Sequence, residues 1–444
     1  MRTEITPLEP MIAGATAGGI PRDVRGAPGE SSVLGPRSSV PQPTLRVMAV
    51  APTPFFGDYG CHVRILEEIE ALRRHGVETS VATYPFGRNL PGLTVHRAHR
   101  LAGQRRVDPG SSLHKLSMDA TLLMRTLRSA KEEHPALIHG HLHEGALIGW
   151  MAAQARNLPL VFDFQGSLTS EMVDHGFVDP NQPVYRFFRR TEAWIVHRAQ
   201  VIITSTRHGA DVLMQEFDCP AARITVVPDA VNTERFRPLW EIAGEDGHLA
   251  RVEALRERLG IPGGRPVVVY LGLLAEYQGI THLLRAAETL VAHNTDAHFL
   301  IMGYPGEERY RAVAQSLGIA QHVTFTGAIP YEEAPTYLAL GDVAVAPKIS
   351  QTEGNGKLLN YIAMGLPTVA FDTAVSREIL DDLGIYAPAG DWTALATEIE
   401  GVLRDPGAAR TRGREVRARA VAKHSWDQSV QLLLGVYTRL LQVS

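Results

Sequence analysis

Short apolar runs alternate with longer amphipathic stretches along most of this chain. The first run, LRVMAVAP from Leu45, is apolar on both alternating faces and predicts a strand buried on two sides. A loop with Gly57 and Gly60 follows, and then Ile65, Leu66, Ile69 and Leu72 recur on one helical face. His75 and Gly76 form a helix stop, and VETSVATY is the next strand. Further strands are expected at ALIHGH, LPLVFDF, QVIITS and ITVVP, with helices between them. Such alternation predicts a parallel sheet with helices on both faces, an α/β fold.

A second series starts at Pro266 with PVVVYLG. It runs through a helix from Ile280 to His293, the strand AHFLIMG, a helix near Glu307, and the strands HVTFTG, DVAVAP and TVAF. After Trp392 the pattern is almost wholly helical. Residues 1–44, rich in Gly, Pro, Ser and Arg without hydrophobic period, read as a disordered tail. The expected domains are 45–231 and 266–423, joined by a polar, helix-prone linker at 232–265 and followed by a last helix at 424–444. Ligands of open α/β sheets sit beyond the carboxyl ends of the strands, so two facing sheets place a cleft between them.

Composition narrows the function classes. With 444 residues, 45% hydrophobic and 21% charged, the chain has the make-up of a soluble globular protein. A formal net charge of -4 argues against nucleic acid as the partner. Two cysteines, Cys61 and Cys219, cannot form a disulfide framework and suit a reducing compartment. There is no signal-peptide pattern and no apolar run of spanning length, so a cytoplasmic protein is expected. The basic and aromatic stretch VYRFFRRTEAW (Val184 to Trp194) allows at most peripheral contact with the inner face of a membrane. Arg97, Arg100, Arg105 and Arg106 read more simply as a solvated loop.

The segment EGNGKLLNYIAMGLP, Glu353 to Pro367, carries the most chemistry. A Gly-Asn-Gly turn (Gly354, Asn355, Gly356) opens into a helical pattern after a strand, an arrangement that aims backbone N–H groups at an oxyanion. Lys357 adds a positive charge, and Glu353 and Asn360 flank the turn within reach of sugar hydroxyls. Alone, such a turn could be an ordinary strand–helix connection. In IHGHLHEG, His139 and His141 share a strand face. A metal site from His139, His141, His143 and Glu144 is the weaker reading, because alternation throws the last two off the strand; no metal or cofactor is expected. Cys61 and His62 are adjacent on a helix and do not face each other, which disfavours a thiol–imidazole pair.

Several segments together resemble the retaining family-4 glycosyltransferases. These are VVPDAVNTERFRP, the run from Ala297 through DVAVAP, and the closing HSWDQSVQLLLGVYTRLL, in family order over about residues 45–444. The resemblance implies the GT-B fold: two Rossmann-like domains facing across a cleft, with a C-terminal helix returning to the first. It implies transfer of a sugar from a nucleoside diphosphate sugar to a sugar or lipid-linked acceptor hydroxyl with retention. It also implies that Gly57, Gly60 and Arg64 lie at the acceptor and diphosphate loop, that His141 approaches the transferred sugar, and that Gln165 reaches an acceptor hydroxyl. The family grips the diphosphate with an Arg after one glycine and a Lys before another. Here the matching segment, Gly272 to Gly279, has Leu273 and Gln278 at those positions. Asn360 stands at the usual ribose Glu, and Glu353 is one residue out of register with the other Glu. Two functions therefore remain open: an enzyme in which Lys357 or Lys348 replaces the lost cations, or a binding or regulatory subunit without turnover.

Overall fold

Thirteen strands form two parallel sheets in the computed structural model, which describes residues 45–57, 60–104, 113–174, 177–245, 247–350 and 354–443. The first sheet comprises β1 (Arg46–Ala51), β2 (Glu78–Thr83), β3 (Thr94–Arg97), β4 (Leu137–His141), β5 (Leu160–Phe164), β6 (Val201–Thr204) and β7 (Ile224–Val226). Their order is β3-β2-β1-β4-β5-β6-β7, every pair parallel. The second comprises β8 (Val267–Leu271), β9 (His298–Met302), β10 (Val323–Gly327), β11 (Val343–Ala346), β12 (Thr368–Phe371) and β13 (Ile385–Ala387). It runs β10-β9-β8-β11-β12-β13. In both sheets the strand order reverses beside the first strand of the series, which opens a crevice at the carboxyl ends. The two-sheet Rossmann-like architecture read from the hydrophobic pattern is the one present.

Central strands are buried throughout, as β4, β5, β9 and β11 show, and this is why they read as continuous apolar runs. The two strands the pattern did not predict, β3 and β13, are short and sit at sheet edges, half-buried. Arg97, expected on a solvated loop, is instead the last residue of β3. Its guanidinium donates to the carbonyls of Phe55, Phe86 and Arg88 and fastens the loop after β1. Arg105, Arg106 and the tail at 1–44 lie outside the described residues.

The final helix, Trp426–Val443, returns to the first sheet. Its Val430, Leu433, Val436 and Tyr437 share a core with Val47, Leu72, Leu137, Val161 and Ile203. A second joint links the halves near the linker. The Tyr331 ring lies 6.4 Å from Phe56 and 5.6 Å from Phe236, with Arg235 stacked 5.2 Å above it. Beneath them Glu67, 3% exposed, accepts from the Tyr331 hydroxyl, from Trp426 Nε1 at 2.7 Å and from the Asn232 amide at 3.2 Å. One buried carboxylate thus ties the first domain to the second, to the linker and to the last helix.

Candidate functional site

Both sheets turn their carboxyl ends toward one cleft of about 420 Å³. From the first half it is lined by Gly60, Arg64, His143, Gln165 and Asp229, and from the second by Gly272, Gln278, Asn355, Lys357 and Asn360, among others. Residues distant in sequence therefore meet at one place, as the fold requires.

The second-half wall is built on close backbone approaches. Gly279 has a φ of 78°, and a Cβ there would fall 1.8 Å from the Pro347 carbonyl oxygen. Only glycine fits, and it fixes the chain just after Gln278. At Gly272, φ 149°, a Cβ would lie 2.8 Å from Lys357 Cε. The missing side chain leaves the channel through which Lys357 reaches the cleft floor. There its ammonium donates to Gln278 Oε1 at 2.5 Å and lies 3.4 Å from the Tyr270 hydroxyl. Burial pushes the Tyr270 phenol well above its usual range, so it stays protonated and donates to the Leu273 carbonyl at 2.8 Å. A cation from the Gly-Asn-Gly turn thus stands at the tip of Gln278.

Lys348 does something else. It is 4% exposed, and its ammonium donates to the Gly354 carbonyl at 2.9 Å, pinning the turn. Asn355 lines the cleft at 4% exposure, and its Oδ1 has no hydrogen-bond partner. A buried amide oxygen left this way is a strong candidate for a ligand contact. Gly354 stands across from Asp229, whose Oδ2 would be 3.3 Å from a Cβ there, so the turn meets the first-half wall. Glu353 lies outside the described residues.

On the first-half wall, Gly60 begins the helix Gly60–Arg74 and lines the cleft, whereas Gly57 is buried just before it. Arg64 faces the cleft but does not supply unpaired charge. It makes a two-pronged contact to Asp163, 3.2 and 3.1 Å, and an ion pair with Asp229. Gln165 lines the cleft while its Nε2 donates to Asp163 Oδ2 at 2.7 Å. Lys115 also lines the cleft, 3.4 Å from Glu144. Burial disfavours its ammonium, yet Glu144, Glu171 and Asp119 together hold its pKa above the ordinary value.

His141 is not where the resemblance implies. It is 0% exposed and lies behind the cleft wall, its Nδ1 3.0 Å from Asp163 Oδ2. The reason is the turn after β4: Leu142 takes a φ of 61°, a left-handed conformation rare for a branched residue. Beyond that turn His143 lines the cleft in place of His141, with its Nε2 3.3 Å from Glu192. His143 and Glu144 leave the strand face as alternation predicts. Sequence reading did not find Glu68, which packs against His139 and His141 from the helix Gly60–Arg74. A buried Glu three residues from a helix's apolar positions carried no signal of its own. Burial raises the Glu68 carboxyl to about 7, and burial also pushes the His139 imidazole well below its usual range. The Cys61 thiol is raised by burial to about 12, so no thiolate nucleophile is present there.

Comparison with known proteins agrees with this geometry. Residues 59–230 match the glycosyl transferase 4-like domain, and residues 251–419 match the glycosyl transferases group 1 family. A D-inositol 3-phosphate glycosyltransferase of Salinispora tropica is 28% identical over 409 residues, covering 85% of this chain and 80% of the relative. Sucrose-phosphate synthase from Thermosynechococcus elongatus superposes with a TM-score of 0.75 at 20% identity, over 90% of this chain and 100% of that one. The Anabaena protein Alr3699/HepE, solved in complex with UDP, superposes with a TM-score of 0.67 at 17% identity, over 89% and 100% of the two chains. With each half matched in order and the cleft formed between two Rossmann-like sheets, the chain belongs to the family-4 glycosyltransferases, GT-B enzymes that transfer a sugar from a nucleotide sugar with retention of configuration.

Proposed function

We propose that the donor is a UDP-hexose whose diphosphate is held by Lys357, and that the acceptor is a small polyhydroxylated ring. The observation that carries this reading is the Lys357 ammonium at Gln278 Oε1 above Gly272. Catalysis needs charge stabilisation at the departing diphosphate, and a positioned ammonium supplies it without a metal ion. Asn355 Oδ1 offers a buried acceptor for a donor hydroxyl or amide, and Asn360, on the same helix as Lys357, faces the ribose. Glu353, which precedes the turn in sequence, and His143, on the first-half wall, contact the transferred sugar.

UDP in the Anabaena structure supports a uridine donor, and the inositol phosphate named for the Salinispora relative supports a cyclitol-like acceptor. The first-half wall suits such an acceptor, since Gln165, Glu144, Glu171 and Lys115 offer both hydrogen-bond acceptors and a cation. The test is a donor screen by thermal shift and hydrolysis over UDP-, GDP- and ADP-sugars. UDP-sugars should stabilise the protein most, and Lys357→Ala should abolish that stabilisation. Stabilisation by GDP- or ADP-sugars alone would refute the uridine donor.

A lipid-linked acceptor is the second reading. On the helix Pro183–Val196, Ile195 and Val196 enter the core, but Val184 (41%) and Phe187 (65%) are exposed beside Arg186 and Arg190. That combination suits peripheral contact with an anionic bilayer. Among the described residues no helix is long and apolar enough to cross a membrane.

A further inference from the structure

Directly behind Arg64 lies a closed cluster that the transfer chemistry does not use. Glu68, His139, His141 and Asp163 are each at most 1% exposed, and one ligand-capable atom from each lies within 4.8 Å of the others. His139 and His141 project from the same face of β4, with ring centroids 4.4 Å apart, and Glu68 comes from the neighbouring helix. We infer that Glu68, His139 and His141 bind a first-row divalent metal ion of the zinc type, with Asp163 as the outer partner that orients His141.

Hydrogen bonding leaves this cluster incomplete. Asp163 accepts from Arg64, Gln165 and His141, and its carboxylate can only accept while it is ionised. The Arg64 guanidinium meets this carboxylate with two prongs, at 3.2 and 3.1 Å, and Gln165 adds a donor at 2.7 Å. His141 must then carry its proton on Nδ1, which leaves Nε2 as a lone pair. That nitrogen has no hydrogen-bond partner and lies 3.9 Å from Glu68 Oε1. Neither Glu68 oxygen has a hydrogen-bond partner either, although Oε1 is 3.2 Å from His139 Nδ1. Two facing buried acceptors need a proton or a cation between them, and a metal ion would pair both, whereas His139 Nδ1 already meets the Tyr437 hydroxyl at 2.7 Å.

Charge points the same way. The Arg64 guanidinium meets Asp163 and Asp229 directly, and Glu68 lies behind Asp163. A divalent ion would bring Glu68 the positive charge that Arg64, engaged with Asp163 and Asp229, does not. Two imidazoles with carboxylates suit zinc, cobalt or iron(II) rather than magnesium or calcium, which take all-oxygen shells. A carboxylate holding the far nitrogen of a ligating histidine is the usual outer arrangement at such sites. Ligand atoms of a tetrahedral site with bonds of ~2.1 Å are about 3.4 Å apart, so the cluster would contract modestly on binding. The ion would hold His141 in its buried position and leave His143 at the cleft.

The test uses the full chain, stripped with a chelator and dialysed, then titrated with Zn²⁺ and, separately, Co²⁺. One equivalent of Zn²⁺ should bind and raise the Tm, and Co²⁺ should give the intense visible bands of a low-coordinate nitrogen–oxygen site. Loss of an outer partner costs about 10–100-fold in affinity, so Glu68→Gln and His139→Gln, which remove ligands, should each weaken Zn²⁺ binding at least about 100-fold. Failure of the wild-type chain to bind one equivalent, or weak octahedral Co²⁺ bands, would overturn the site whatever the variants do. One equivalent bound with unchanged affinity in both folded variants would place the ion elsewhere and overturn it equally.

Discussion

Lys357 and Gln278, 79 positions apart, are joined by a hydrogen bond from ammonium to amide oxygen on the cleft floor. Gln278 lies just before the tight Gly279 turn, and Lys357 brings a positive charge to it from the helix after the Gly-Asn-Gly turn. Charge-assisted hydrogen bonds contribute about 1.5–3 kcal/mol, so Lys357→Gln should lower kcat/KM about 10–150-fold. The swap Gln278→Lys with Lys357→Gln should recover much of that loss. Steady-state kinetics on the single and double variants decides the point. A double variant no better than Lys357→Gln would mean that Lys357 acts through the turn and not through its charge.

The exchange of roles between His141 and His143 gives a second prediction. His143 lines the cleft and His141 is sealed behind it. Removing the imidazole of His143 should lower kcat with little change in the Tm, because Glu192 keeps the Thr169 hydroxyl and the Leu168 and Thr169 amides as donors. His143→Asn is the variant to assay, with turnover and Tm measured on the same preparation. Unchanged kcat would remove His143 from the reaction.

The fold was legible because its strands are short, buried and β-branched, and its helices carry one apolar face. Edge strands β3 and β13 escaped because a few half-buried residues have no periodicity to read. In the donor wall, Gly272 and Gly279 were legible as positions, and contact distances explain them: a Cβ at Gly279 would strike the Pro347 carbonyl. Lys357 was identified from its place after the Gly-Asn-Gly turn, but the Gln278 contact crosses between separate segments and has no local signature. His141 was misplaced for a similar reason. The left-handed Leu142 and the Asp163 carboxylate on the next strand turn it inward. Arg64 looked like available charge until Asp163 and Asp229 came together around it.

Glu67 supports a prediction about how the halves are held. Trp426 Nε1 donates to it at 2.7 Å from the returning helix, and both side chains are at most 3% exposed. Trp426→Phe keeps most of the apolar contact but removes a donor to a buried carboxylate, which costs about 1–3 kcal/mol. Differential scanning calorimetry should show a Tm lower by a few degrees. If the joint also sets domain closure, donor KM should rise while the isolated ring contacts of Tyr331 remain. An unchanged Tm would show that water satisfies Glu67 as well as the indole does.

His298 gives the pH dependence. It begins β9, is 3% exposed, and lies 2.9 Å from the Thr324 hydroxyl through Nε2. Burial, with the nearby charges of Arg265, His322 and Arg256, lowers its pKa from 6.5 to about 4. A histidine depressed in the folded state favours the neutral form there, so the unfolded chain binds the proton first. Its contribution to stability is therefore complete above pH 6.5 and is lost as the pH falls through about 4. A shift of this size corresponds to roughly 3 kcal/mol at the acid end. Urea unfolding measured in steps from pH 7 down to the onset of acid denaturation should show that decline, and His298→Gln should flatten part of it. The variant starts less stable near neutrality, because it loses ring packing, and the two curves should converge as the pH falls. Parallel curves at all pH values would show that His298 does not titrate between the two states.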